Sequence, residues 1–161
     1  MFDPAPNETT TRMNAPQIWQ FLRDVSVGRI ATHDHERGET SLTPLFFAYD
    51  NGHIYFATQP GRKLTVLRRY PNGVGLQCDQ ERDGTWTSVY VWGRYRDVAP
   101  GIEYARATLL LSQKYRGDFI SQIADQAGKA FRGGPRGVWQ AVRGATTGCI
   151  DIERAGGRQM K

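Results

Sequence analysis

The sequence predicts a mainly β protein with peripheral helices, in which six antiparallel strands form a barrel. Between Gly28 and Val98 apolar and polar residues alternate with a period of two, the pattern of strands with one buried face. Turn signals such as Asn51-Gly52 separate these segments at the spacing of hairpins. Only one helical segment interrupts them. Hairpins at this density favour a barrel over a helical or parallel α/β fold.

The apolar segments between turn signals define the six strands. The second strand carries Pro44 within an otherwise good strand pattern, and we expect the Asn51-Gly52 turn to pair that strand with the third. The predicted strands cover residues 28–32, 41–49, 54–58, 74–80, 85–98 and 146–153.

Helical periodicity appears in four segments, including the one that interrupts the strands. Asn14 and Gln17 form a capping-box pattern around Pro16, which predicts a helix with one buried face. Residues 63–70 form a helix that stops before Pro71. Residues 102–115, with Ala105, Leu109 and Leu110 on one face, and residues 118–131 are also predicted helices; residues 138–142 are ambiguous between strand and helix.

The length of 161 residues fits one domain with its own core. We expect a flexible lead-in over residues 1–13, one domain over 14–154 and a frayed end over 155–161. The hydrophobic content of 39% and charged content of 23% are those of soluble globular proteins. No segment has the pattern of a signal peptide or membrane helix. Cys78 and Cys149 are predicted to be buried reduced thiols, which favours a cytoplasmic location.

The net charge of +5 is unevenly distributed along the chain. Residues 1–111 hold 12 Lys or Arg against 12 Asp or Glu, whereas residues 112–161 hold 9 against 4. A barrel that binds nucleic acid is expected to carry its basic residues on the barrel face. The neutral body therefore favours a small anionic ligand over a polynucleotide. A non-enzymatic barrel that binds nucleic acid through its basic tail stays as the rival class.

The segment between the third strand and the following helix is the strongest candidate for a binding site. Thr58 ends the strand, Gly61 follows, and Arg62 and Lys63 open the helix. Free N–H groups and the helix dipole attract an anion there, and cations at a helix start are otherwise unfavourable. The same residues could equally form a solvated turn, and their spacing alone does not decide between the two. Pro44 favours the site, because an opened ladder beside Thr58 leaves room for a flat heterocycle. The alternative is that Pro44 only marks an edge strand that is protected against aggregation.

Five segments in this order resemble the FMN-binding split-barrel proteins related to pyridoxamine 5′-phosphate oxidase, especially the branch that contains nitroimidazole-resistance proteins. The resemblance covers roughly residues 28–98. The segments are Gly28-Arg29-Ile30-Ala31-Thr32, Thr43-Pro44-Leu45, Ile54-Tyr55-Phe56, Gly61-Arg62-Lys63 with Leu67-Arg68 and Tyr70-Pro71, and Trp86-Thr87-Ser88-Val89-Tyr90-Val91-Trp92-Gly93-Arg94.

The resemblance implies a split barrel that forms a homodimer with FMN at the subunit interface, acting as a flavin-dependent oxidoreductase on a small molecule. It implies that Arg62 and Lys63, beside Leu64, hold the phosphate, with Thr58 as a third contact. The isoalloxazine ring would lie along Thr43, Pro44 and Leu45 with Phe56 and Ala57 nearby, and Trp86 and Ser88 would reach it from the partner subunit.

The sequence also departs from that branch. Some of its members carry a histidine beside the flavin at the end of the third strand, where this chain has Ala57-Thr58. No catalytic residue is therefore assigned, and a deazaflavin or haem in the same fold stays as an alternative. No metal ligand is assigned either: His33-Asp34-His35 is predicted to be a surface turn, His53 to be exposed, and neither cysteine to have an activating histidine.

Overall fold

The computed structural model describes residues 10–115 and 144–161, which form antiparallel strands and three helices. The helices are α1 (Ala15–Asp24), α2 (Arg62–Arg69) and α3 (Ile102–Tyr115). The strands are β1 (Thr10–Arg12), β2 (Val27–Asp34), β3 (Glu39–Phe46), β4 (Ala48–Asp50), β5 (His53–Thr58), β6 (Val74–Arg82), β7 (Thr85–Asp97) and β8 (Thr146–Met160).

All of these strands belong to one antiparallel sheet, ordered β3-β2-β6-β7-β8-β5-β4, with β1 added to β8. Its hydrogen-bonded order does not close on itself, so the barrel is split. The six longer strands correspond to the six predicted from the sequence, and β1 and β4 are three-residue additions. The predicted mainly β split-barrel fold is confirmed.

The predicted second strand is divided by a break at Phe47. β3 pairs with β2, and β4 pairs with β5 across the Asn51-Gly52 turn, so residues 48–50 alone form the expected hairpin with the third strand. β3 is an edge strand of the sheet, and Pro44 lies opposite Arg29 of β2. The missing N–H group of proline therefore removes no hydrogen bond from the interior of the sheet.

The C-terminal residues also differ from expectation. Residues 155–160 were expected to fray, but they continue β8 between β7 and β1. β1 in turn lies within the expected flexible lead-in. The long β7–β8 pairing contains a bulge at Gly93. This position requires glycine, because a Cβ there would lie 2.1 Å from the carbonyl oxygen of Asp151. Polar residues form a strand here because neighbours on both sides supply the hydrogen bonds.

Two of the helices follow their predictions closely. Asn14 and Gln17 exchange capping-box bonds of 3.0 and 2.8 Å at the start of α1, and α3 has its predicted bounds. The buried face of α3, however, is formed by Ala107, Leu111 and Tyr115 rather than by the predicted face. The predicted helix over 118–131 and the segment 138–142 lie outside the described residues.

The main core lies between α1, α2 and the concave side of the sheet. Side chains from each of these elements are fully buried there, among them Leu22, Ile30, Phe56, Leu67, Val89 and Ile150. α3 covers a second apolar cluster around Tyr55 and Cys149. Among the described residues, no helix is both long and apolar enough to cross a membrane.

Candidate functional site

A pocket of about 170 Å³ opens where the start of α2 faces β2 and β3. Its walls combine hydroxyl groups with two carboxylates and two cations: Thr32, Asp34, Glu39, Ser41, Thr43, Arg62, Lys63 and Val66. The volume is below the roughly 300–1,000 Å³ of a complete small-molecule site, so it suits one polar group of a larger ligand.

Lys63 is the cation without a partner in this pocket. Its ammonium makes no ion pair or hydrogen bond with any residue in the described part of the chain. Burial alone lowers the pKa of Lys63, because nothing nearby offsets the lost hydration. A partly buried cation in this situation is stabilised by an anionic ligand.

Arg62, by contrast, is paired with carboxylates of β2 and β3. Its guanidinium donates to Glu39 and lies 3.6 Å from Asp34. The hydrogen bond and charge of Arg62 lower the pKa of Glu39. Burial raises the pKa of Asp34, but backbone N–H groups of Arg37 and Glu36 and the charge of Arg62 outweigh it, so the net shift is downward. The two carboxylates therefore already contact the guanidinium that an incoming anion would bind.

The first turn of α2 supplies further donors. Gly61 at the N-cap offers no side chain, and the first helical bond runs from the N–H of Thr65 to the carbonyl of Gly61. The N–H groups of residues 62–64 therefore face outward from the helix start without a side-chain cap. The free N–H groups and the helix dipole add to the cations in favouring an anion.

The structure brings only some of the expected site residues to this pocket. Thr43 lines it together with Arg62 and Lys63, from a strand that pairs with β2. Pro44 is exposed beside it on the edge strand. Leu45, Phe56 and Leu64 have their side chains in the core, so Leu64 can offer a ligand only its backbone N–H.

The remaining expected residues lie on other strands. Ala57 and Thr58 are partly buried and pair with β8, with Thr58 donating to the carbonyl of Gln59 at 3.5 Å. Trp86 and Ser88 lie on β7 and do not line the pocket. Within one chain they do not join the other site residues, so their expected contact with the ligand from a partner subunit stays a prediction.

Sequence reasoning missed the acidic wall of the pocket. The sequence predicts that Asp34 lies in a surface turn and assigns no role to Glu39, yet both face Arg62. The alternation of Glu39, Ser41 and Thr43 places these residues on one face of β3. That signal existed in the sequence, but the facing helix could not be identified from it.

A second polar cluster joins His53, Cys149 and Asp151, where β5 lies beside β8. His53 Nδ1 is 2.8 Å from Asp151 Oδ1, and Cys149 Sγ is 3.4 Å from that oxygen and 3.9 Å from His53 Nδ1. The sequence predicts no activating histidine beside either cysteine, and His53 is nevertheless a neighbour of Cys149. The alternation of Cys149 and Asp151 places both on one face of β8, a signal that the sequence contained.

The network around this cluster is already satisfied. Arg96 donates to Asp151 at 2.8 Å and to Glu103 at 2.9 Å, and the Tyr55 hydroxyl donates to Glu103 at 3.0 Å. Burial raises the pKa of Cys149 well above its ordinary value, so the thiol keeps its proton and is a poor nucleophile or metal ligand. We interpret the cluster as a polar network that ties α3 to the sheet.

The split-barrel sheet, with one helix inserted after β5 and a charged pocket at the start of that helix, defines the structural class of this protein. The family model described as pyridoxamine 5′-phosphate oxidase matches residues 14–133. The chain therefore belongs to this family. A search of curated proteins finds no significant sequence match.

Solved structures agree with this assignment. An FAD-binding protein from Mesorhizobium loti is 25% identical, with a TM-score of 0.70 over 94% of this chain and 97% of that one. A Bacteroides thetaiotaomicron protein assigned to 5-nitroimidazole antibiotic resistance is 16% identical, with a TM-score of 0.66 over 93% and 87%. A heme storage protein from Vibrio cholerae is 11% identical, with a TM-score of 0.62 over 87% and 90%. The last two show similarity of fold alone.

Proposed function

We propose that this protein binds a flavin through its phosphate, with Lys63, Arg62 and the first N–H groups of α2 as the clamp. The observation that carries the proposal is Lys63, a partly buried cation in a pocket with no partner among the described residues. The Mesorhizobium loti relative, which binds FAD, supports a flavin as the ligand. FMN and FAD share the phosphate that this clamp would hold.

The pocket accommodates the phosphate but not a whole flavin, so the ring would extend past Thr43 toward the open edge of β3. A second copy of the chain would complete the site, and we propose a homodimer. Trp86, Tyr90 and Trp92 support this, because they form an exposed aromatic face on β7. Such a face is typical of interface residues.

We further propose that the protein is a flavin-dependent oxidoreductase that acts on a small molecule in the cytoplasm. The bound flavin would supply the redox chemistry, while this chain holds its phosphate and limits access to its ring. The pocket lining contains no histidine, cysteine or tyrosine, so none of its residues is assigned as an acid or base. The two cysteines are free and buried, as suits a reducing compartment.

The clamp is tested by measuring the affinities of FMN and riboflavin for the wild type and for Arg62→Ala and Lys63→Ala, using calorimetry. Each substitution should weaken FMN by about tenfold or more, because a charged hydrogen bond to the phosphate is lost. Riboflavin has no phosphate and should be little affected. Arg82→Ala is the matched control, since Arg82 is exposed at the end of β6.

Several results would contradict this proposal. Equal losses for FMN and riboflavin would refute the phosphate clamp, and a wild type that binds neither would refute flavin binding. The absorbance spectrum of the purified protein separates a flavin from a deazaflavin or haem. Binding of DNA or RNA that falls steeply with salt would instead favour the nucleic-acid class.

A further inference from the structure

A second pocket, of about 320 Å³, lies beside the phosphate pocket at the other end of α2. Thr32 of β2 lines both pockets, so they are neighbours across one strand residue. The volume of this second pocket lies in the range of a small-molecule site. Two adjoining pockets along one helix indicate a ligand with two separate recognition groups.

The second pocket combines an apolar floor with aromatic walls. Leu67 and Val74 form the floor and are at most 3% exposed. His33, His35 and Tyr70 form the wall, with the His35 ring 4.6 Å from that of His33 and 4.7 Å from that of Tyr70. Flat apolar heterocycles stack on such rings.

The rim of this pocket is polar but carries no net charge. The exposed amide of Asn72 lies there and has both donor and acceptor groups. The pocket lining includes no aspartate, glutamate, lysine or arginine, in contrast to the four charged residues of the phosphate pocket. A neutral base with hydrogen-bonding edges fits this combination better than a second phosphate does.

The separation of the two pockets also matches a dinucleotide. Arg62 begins α2 and Tyr70 follows its last residue, so the two lie roughly 12 Å apart along the helix axis at 1.5 Å per residue. A nucleotide extended from the flavin phosphate would run along α2 and bring its base to Tyr70 and His35.

We propose that the second pocket binds the adenine end of FAD, whose flavin-side phosphate lies on Arg62 and Lys63. This inference rests on the proposed flavin function and narrows the cofactor from any flavin phosphate to the dinucleotide. His35 and Tyr70 would stack on the adenine, and Asn72 would hydrogen-bond its edge.

The test measures the affinities of FAD and FMN by calorimetry for the full-length wild type, His35→Ala and Tyr70→Ala. The wild type should prefer FAD. Each variant should lose about fivefold or more of its FAD affinity, the effect of one lost aromatic stacking contact, while its FMN affinity stays unchanged. Tyr104→Ala, a substitution of an exposed tyrosine on α3, is the control and should change neither affinity.

His35 lies on an exposed turn, so its variant should fold even if loss of Tyr70 at the end of α2 destabilises the protein. Melting temperatures report this. FMN binding without a preference for FAD, or equal changes for both flavins in His35→Ala, would overturn the adenine pocket and leave the phosphate clamp standing. Failure of both flavins to bind the wild type would overturn the proposed function as well.

Discussion

At the scale of single residues, the two cations of the proposed phosphate pocket differ in whether a carboxylate of the protein already binds them. Lys63 has no carboxylate partner among the described residues, whereas Arg62 is held by Glu39 and Asp34. In the proposed complex, an arriving phosphate would gain the contact with Lys63 but compete for the contact with Arg62. The acidic wall would then lower the affinity while holding Arg62 in place before binding.

Replacing Glu39 with Gln should tighten FMN binding, because it removes the carboxylate charge that competes with the phosphate for Arg62. The expected gain in affinity is about two- to fivefold, since an exposed ion pair contributes little free energy. Calorimetric titration at fixed salt measures this. Glu81→Gln, at an exposed position on β6, is the control and should have no effect. Weaker binding by the Glu39 variant would show that Glu39 assists the clamp.

Lys114 on α3 is a second residue whose environment has measurable consequences. Its Nζ lies 3.3 Å from the carbonyl oxygen of Leu22 and 4.3 Å from the centre of the Phe47 ring. Burial lowers its pKa to about 8, from an ordinary value of 10.5. Between these two values the unfolded chain binds more protons than the folded one, so this residue makes stability rise with pH.

The free energy of unfolding of the wild type, relative to Lys114→Met, should therefore increase as the pH rises from 8 to 10.5. The lowered pKa of Lys114 corresponds to an increase of about 3 kcal/mol in the free energy of unfolding over this pH range. Chemical denaturation at several pH values measures the difference, and Gln113→Met gives the control because Gln113 is exposed and does not titrate. A difference that stays constant with pH would contradict the lowered pKa.

At the scale of elements, α3 stabilises the break between β3 and β4. The Tyr115 hydroxyl accepts a hydrogen bond from the N–H of Phe47 at 2.9 Å and lies 2.8 Å from its carbonyl oxygen. It is also 2.7 Å from the carbonyl oxygen of Ser26. One buried side chain thus satisfies the backbone where the strand ladder is interrupted.

Removing this hydroxyl in Tyr115→Phe should lower the free energy of unfolding by about 1–3 kcal/mol, because buried backbone groups at the break lose their partner. Urea denaturation gives the value. Tyr104→Phe changes an exposed tyrosine on the same helix and should stay within about 0.5 kcal/mol of the wild type. Equal effects in the two variants would mean that the break is stabilised by other contacts.

At the scale of the whole molecule, β7 presents an aromatic face that is partly exposed in the described part of the chain. Trp86, Tyr90 and Trp92 point outward and are 37–40% exposed, and Arg154 of β8 lies 4.8 Å from the centre of the Trp92 ring. As predicted from the sequence, Tyr95 lies on the opposite, buried face. A partner subunit that covers the outward face would bring its own Trp86 and Ser88 toward the flavin.

Replacing Tyr90 and Trp92 together with Glu should convert the proposed dimer into a monomer, because two charges would be buried in the interface. Sedimentation measures the mass, and flavin affinity should fall with it if the partner completes the site. Tyr104→Glu, at a tyrosine 37% exposed on α3, should remain dimeric. A monomeric wild type would exclude the proposed interface.

Much of the fold could be predicted because its signals are local. The capping box of α1, the Asn51-Gly52 turn and the alternation along β7 depend on residues close in sequence, and the structure retains all three. The break at Phe47 could not be predicted in this way. It depends on Tyr115, which lies 68 residues further along the chain.

The candidate site shows the same difference between local and long-range signals. The sequence alone determined the six longer strands, the position of α2 and the placement of two cations at a helix start, since each follows from neighbouring residues. Only the tertiary structure decided that Asp34 and Glu39 face Arg62, that Lys63 has no such partner, and that Leu45, Phe56 and Leu64 are in the core. The physical reason is that the electrostatics of the pocket and the burial of these side chains depend on which strands lie opposite α2. That arrangement is set by long-range packing.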